Sequence, residues 1–315
     1  MGRDFLRTMK THLLYIALTL ALSASCGGKS EEAVRREAQM ADSAALKIAT
    51  LPTIDCLPLY LVEQLRMDEE TGLDLRLVPF MAQMDQDTAL LRGRVEGLFT
   101  DLIRLHRMEQ VEGKAMKQLC STALSWRLVT SKTARIKELK QLDDKMVAMT
   151  RHSATDVLTW QVVDSARLQQ ERVYRIQVND VKIRFDMLMS TNVDAMWLPE
   201  PWATAAVEAG HRAIYDAGKK AWKPGVLAVA DSVMADSTRR KQVELLTQLY
   251  NRAVDSIAKN GWKHYADLVS LYCGVDEKVV EKMPLKQPFT HATPPTEADN
   301  AVREKTTTST SEDTP

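Results

Sequence analysis

Apolar positions recur along this chain with two periods, and the switching between them predicts alternating strands and helices. Leu46-Lys47-Ile48-Ala49-Thr50 alternates every second residue and stops near Pro52. Residues 58–65 then carry apolar side chains at helical spacing, with Pro58 in the first turn. Leu73 to Val78 interleaves Asp74 and Arg76 with apolar residues, a second strand bounded by Gly72 and Pro79. A helix over 85–92 closes near Gly93, a third strand covers 95–100, and Asp101 stands where a helix N-cap favours Asp. The pattern continues with strands at 115–119, 127–130, 145–149, 173–178, 193–198, 211–215 and 226–230. Helices are predicted from Ser153 or Thr155 to about 166, around 185–189 and over 202–209. From Thr238 onward the period is helical only, through 257, then 265–272 and 277–283.

Strands separated by helices define an α/β fold with mostly parallel sheets covered on both faces. Ligands in such folds gather at the carboxyl ends of strands. That singles out the loops at 52–57, 80–83, 100–101, 150–155, 179–180 and 199–202.

The ends of the chain differ from its middle. Arg3, Arg7 and Lys10 precede an apolar run from Leu13 to Leu22, followed by the small residues Ser23, Ala24 and Ser25. This order reads as a secretory signal over residues 1–25, its apolar run too short to span a bilayer. Leu22-Ser23-Ala24-Ser25-Cys26-Gly27-Gly28 resembles the bacterial lipobox, with Ser23 where a Leu is usual. The resemblance implies acylation of Cys26, palmitate included, and attachment to a lipid bilayer, since several acyl chains on one residue anchor stably. Residues 26–44 are polar and read as a tether; residues 286–315 are rich in Thr, Pro, Ser and charge and read as a disordered tail.

Composition narrows the function. The 42 basic and 42 acidic residues balance, which gives no electrostatic footprint for nucleic acid. Beyond Cys26, the cysteines 56, 120 and 273 are odd in number and far apart. They predict neither a disulfide framework nor a zinc site, and small buried hydrophobes account for them. No Gly-x-Ser-x-Gly elbow, phosphate-binding glycine loop or His-Glu-x-x-His site is present, so no enzyme and no cofactor is expected.

Several segments in order resemble the periplasmic binding proteins of ATP-binding-cassette (ABC) importers, in the branch that binds nitrate, sulfonates, taurine or thiamine pyrimidines. They are Leu46-Lys47-Ile48-Ala49 leading to Leu57-Pro58-Leu59-Tyr60, Gly72-Leu73-Asp74-Leu75 with Val78-Pro79-Phe80, and Gly97-Leu98-Phe99-Thr100-Asp101-Leu102. Val193-Asp194-Ala195-Met196 before Pro199-Glu200-Pro201-Trp202-Ala203 is the most specific. The resemblance implies a two-lobed, type II-like fold, with residues 45–130 plus 218–285 in one lobe and 131–217 in the other. It also implies a small-molecule ligand between the lobes and a partner permease with its ATPase.

Candidate ligand contacts follow from the loops. Asp55, Thr100 and Asp101 lie at strand ends of the first lobe; each is also a natural turn or cap residue. Ser153 opens a helix whose amides could receive an anion, or simply caps it. Glu200 is stiffened by two flanking prolines, while Trp126 and Trp202 could stack on a ligand or pack. Asp55, Asp101, Asp180 and Glu200 would surround the cleft with carboxylates, which favours a nitrogen-bearing ring compound. The competing function is a surface lipoprotein that keeps this fold as a sensor, adhesin or assembly partner.

Overall fold

Among the described residues, ten strands form two five-stranded sheets. The first runs in the order β2 (Leu75–Pro79), β1 (Leu46–Thr50), β3 (Gly97–Asp101), β10 (Gly225–Ala230) and β4 (Met116–Ser121). The second runs β7 (Val173–Gln177), β6 (Lys145–Met149), β8 (Ala195–Pro199), β5 (Trp126–Thr130) and β9 (Arg212–Asp216). The computed structural model describes Met40, residues 42–286 and residues 288–302. It divides into compact units of 1–45 and 46–315. In the first unit, Met40 and residues 42–44 are helical, while the signal segment 1–25, Cys26 and most of the tether lie outside the described residues. Among the described residues, no helix is long and apolar enough to cross a membrane.

The sequence rhythm predicts mostly parallel sheets; the pairings divide evenly. β1 pairs in parallel with β2 and β3, whereas β10 runs antiparallel to both β3 and β4. The second sheet repeats this, with β6 parallel to β7 and β8, and β5 antiparallel to β8 and β9. The reason lies in how the chain changes sheets. It crosses at 122–125 and returns at 217–224, and both crossings lie where the parallel strands end. A strand entering there must run backwards: Gly225 opens β10 opposite Asp101, the last residue of β3, and Trp126 opens β5 opposite Pro199, the last of β8. β5 therefore belongs to the second sheet, so the break falls at 122–125 and not at residue 130.

Neighbouring residues on a strand face opposite ways, and here each face has its own helices. In the first lobe Ile48 and Phe99 pack with Tyr60 of α1 (Leu57–Gln64) and with Leu246 and Tyr250 of the long α8 (Ser237–Asn260). Ala49 and Leu98 pack on the other face with Leu90 of α2 (Gln83–Leu91) and with Leu105 of α3 (Leu102–Gln110). In the second lobe Leu128, Val147 and Trp197 pack with Leu158 of α4 (Ala154–Ser165). Val129, Ala148 and Met196 face the other way, towards Leu188 of α5 (Val181–Met189) and Ala203 of α6 (Trp202–Glu208). That second face is continuous with the first lobe's core, because α6 packs on α10 (Glu277–Val280). Each buried Val, Leu, Ile, Phe or Met among them contributes roughly 1.5–3 kcal/mol, and an alanine less. α7 (Asp231–Ala235) and α9 (Ala266–Cys273) complete the first lobe, and the thiols of Cys56, Cys120 and Cys273 are free and buried.

The chain after residue 286 departs from the expected disordered tail. Phe289 is buried beside Ile257 and Trp262, and the Ser121 amide donates to Thr293 O at 2.8 Å. Asp299 accepts from Lys223 N at 3.0 Å and from Thr296 Oγ1 at 2.6 Å, and the Gln118 amide reaches Asn300 Oδ1 at 3.1 Å. These are backbone and single side-chain bonds, which leave no apolar period in the sequence. Gln287 and residues 303–315 lie outside the described residues.

Candidate ligand site

The loops at the ends of the parallel strands of both lobes meet face to face. Direct hydrogen bonds join them, among them one from Gln177 Nε2 to Met84 Sδ at 3.4 Å. Ile54 N donates to Glu200 O at 3.0 Å, Trp202 Nε1 to Pro52 O at 2.9 Å and Val181 N to Met81 O at 3.0 Å. Arg104 Nη1 donates to Arg151 O at 3.3 Å and Ala154 N to Asp101 Oδ1 at 3.1 Å. Ala82 and Asp180 add an antiparallel bridge. Between the lobes lies a cavity of about 20 Å³, room for one water molecule. It is lined from both sides, by Thr53 and Gln83 of the first lobe and by Trp126, Asn179 and Arg184 of the second.

Asp101 lies wholly buried at the centre of the junction. Its Oδ1 accepts from Ile103 N and Arg104 N, both at 3.0 Å, and from Ala154 N across the junction; Oδ2 accepts from Gln83 Nε2 at 2.9 Å. Burial raises its pKa, opposed by these bonds and by the Arg104 charge. Thr100 beside it is buried, and its hydroxyl has no partner among the described residues. Arg104 is held by Asp87, whose Oδ2 accepts from Arg104 Nε at 2.7 Å, and burial pushes Asp87 up to about 6 despite the guanidinium.

The other sequence-predicted residues sit around the cavity in different roles. Trp126 lines it. Asp55 lies behind it, taking Thr122 Oγ1 at 3.0 Å from the first crossing, and burial pushes its carboxyl up to about 6. Ser153 caps α4, accepting from Thr155 N at 3.1 Å and donating to Thr150 O at 2.7 Å. Glu200 accepts from Arg127 Nη1 at 3.1 Å and from Thr204 N at 2.9 Å, and its peptide bond to Pro201 is cis. Trp202 packs edge-on against Phe185, with ring centroids 5.3 Å apart, besides its bond across the junction. Asp180 caps α5 through Ile183 N at 2.9 Å.

Arg184 is the residue the loops do not reveal. It is 5 % exposed, its Nη1 donates to Trp197 O at 3.0 Å, and its Nε has no partner among the described residues. Burial lowers its pKa to about 10, partly countered by Asp180, so the guanidinium remains charged at neutral pH. A signal for it exists: positions 181, 184, 185 and 188 are spaced i, i+3, i+4, i+7, so Arg184 occupies an apolar stripe with Val181, Phe185 and Leu188. The carboxylates of Asp101, Asp180 and Glu200 are taken up by donors of the protein itself. The polar groups lining the cavity are a guanidinium, which can only donate, and two amides and a hydroxyl, which can donate or accept.

Among the described residues no group of three or more His, Cys, Asp or Glu could hold a metal ion. The architecture is that of the periplasmic binding proteins. Among solved structures, the periplasmic aliphatic sulphonate binding protein SsuA from Escherichia coli matches with a TM-score of 0.68 at 16% identity, over 85% of this chain and 92% of that one. The periplasmic nitrate-binding protein NrtA from Synechocystis PCC 6803 matches with a TM-score of 0.66 at 13% identity, over 81% of this chain and 74% of that one. Both fall in the branch that the sequence resembles. The desulfurization enzyme DSZB shares the fold with a TM-score of 0.59 at 12% identity, over 84% of this chain and 90% of that one. No family model and no curated protein matches the sequence. At these identities the likeness establishes the fold alone.

Proposed function

We propose that this protein is an exported, lipid-anchored solute-binding component of an ABC importer, which closes its two lobes on a small solute and delivers it to a permease. The observation that carries this reading is Arg184, a buried guanidinium on a cavity lined by both lobes at the ends of their parallel strands. Arg184 offers donors to a solute rich in acceptors, Gln83, Asn179 and Thr53 beside it can donate or accept, and Trp126 offers an aromatic face. Sulfonates and nitrate, which the named structural relatives bind, suit such donors better than a nitrogen-bearing ring compound does. The basic, apolar and small-residue order before Cys26 supports export and acylation.

The test is a thermal-shift series with nitrate, taurine, alkanesulfonates, bicarbonate and pyrimidines at millimolar concentration. At least one should raise Tm saturably, as mass action on the folded state requires, and Arg184→Gln should abolish the shift while keeping a cooperative transition. Absence of any shift with the wild type removes the solute-binding reading. For the anchor, Cys26→Ser should move the protein from the membrane fraction to the soluble one.

The second reading, a surface lipoprotein with this fold that acts through its exterior, is favoured by one observation. The lobes are already joined by direct bonds, over a cavity that holds about one water. Normal solute uptake in cells lacking the gene would support it.

A further inference from the structure

Asp101 holds a position that an incoming anion would be expected to seek. The first turns of α3 and α4 belong to different lobes, yet amides from both point at one carboxylate oxygen. Ile103 N and Arg104 N do so at 3.0 Å, and Ala154 N at 3.1 Å. Helix N-termini carry orphan N–H groups and partial positive charge, and each alone attracts an anion. Here both are satisfied by a group of the chain itself. The second oxygen is held by Gln83 Nε2 at 2.9 Å, and the whole side chain is shut off from solvent. Arg104, whose amide is one of the donors, also reaches across to Arg151 O, so the same corner bridges the lobes twice. Ser153 and Thr155, the hydroxyls at the start of α4, turn to Thr150 and to each other.

We propose that Asp101 is a built-in anion that determines specificity: it fills the junction of two helix N-termini, draws the lobes together without solute, and keeps anionic groups of a solute off α4. A solute is thereby confined to the Arg184 side of the junction. The inference rests on the solute-binding reading, because it concerns which groups that site leaves open.

The prediction is chemical rescue. Asp101→Gly removes a CH₂–COO⁻ group, and acetate has the same heavy atoms. Tm of the variant should fall by roughly 5–10 °C through loss of the cap and of the bond across the junction. Sodium acetate at about 0.1 M should restore about half of that loss saturably, with sodium chloride at equal ionic strength as control. Performing both in an Arg184→Gln background keeps acetate from acting through the cavity. Asp101→Asn, which leaves the space filled, should show no rescue. Should Asp101→Gly not fold in buffer, its soluble yield on refolding with and without acetate is the readout, and Asp101→Ser is scored the same way. If acetate restores neither the Gly nor the Ser variant beyond the chloride control, the proposal fails. It fails equally if the Asn variant is rescued as well as the Gly variant. Neither outcome depends on finding a natural solute, so it is separate from the thermal-shift series.

Discussion

Asp55→Asn isolates a single buried carboxyl and gives a pH-dependent signature. Asp55 is fully enclosed, accepts one hydroxyl from Thr122 at 3.0 Å, and has a second oxygen without a partner among the described residues. Burial raises its pKa from 3.8 to about 6. Between those values the unfolded chain has released the proton that the native state keeps, so stability falls as pH rises through the interval and levels off above it. The full loss is about 2.2 pH decades at 1.36 kcal/mol each, or about 3 kcal/mol. Asn is neutral throughout; its carbonyl can accept from Thr122 as the carboxylate does, and its amide sits where the proton is held. The variant should therefore gain on the wild type with pH, by about 1 kcal/mol near pH ~4.5 and by about 3 kcal/mol at pH ~8, whatever constant offset the swap brings. Urea unfolding followed by tryptophan fluorescence across that range measures the difference. Parallel stability curves for the two proteins would show that Asp55 ionises as an ordinary carboxyl and that the burial argument is wrong.

Three further substitutions probe the fold. Gly225→Ala should destabilise by about 2 kcal/mol or more, since a methyl there would come within 2.6 Å of Leu124 Cβ at the first crossing; chemical denaturation reads it directly. Thr159→Val leaves Trp197 Nε1, now bonded to Thr159 Oγ1 at 2.8 Å, unpaired in the core. It should cost about 1–3 kcal/mol, visible as a lowered urea midpoint with unchanged slope. Phe289→Ala should cost about 3 kcal/mol if the segment after 286 packs as described, whereas a disordered tail would make it neutral in the same assay.

Local order was largely legible and long-range partnership was not. The strand at 145–149 has the same bounds in sequence pattern and structure, and Asp101 and Ser153 stand as the caps that their residue types favour. These depend on neighbours within a few positions. The direction of β5 and β10 depends on where the chain changes sheets, which no local period encodes. The same divide runs through the site. Loop position marked Asp55, Asp101 and Glu200, but their hydrogen-bond partners Thr122, Ala154 and Arg127 lie tens of residues away. Arg184 lies inside a helix, away from the strand-end loops, and a charge on an apolar stripe is its trace in the sequence. The order of segment 288–302 is not legible in composition, which registers apolar burial and not backbone bonds to a sheet edge.

The pairing of Arg127 with Asp216 has a consequence for how this molecule can be rebuilt. Segment 126–216 begins and ends on adjacent strands, so in gene terms it is a single insert that could be exchanged between homologous hosts by two neighbouring splice points. Yet it would not travel alone. Trp202 and Glu200 grip Pro52 and Ile54 of the host, and α6 leans on α10, so a donor insert should be accepted only by hosts with matching first loop and final helix. Chimeras that swap 126–216 together with 51–56 and 277–280 should express where the simple swap aggregates.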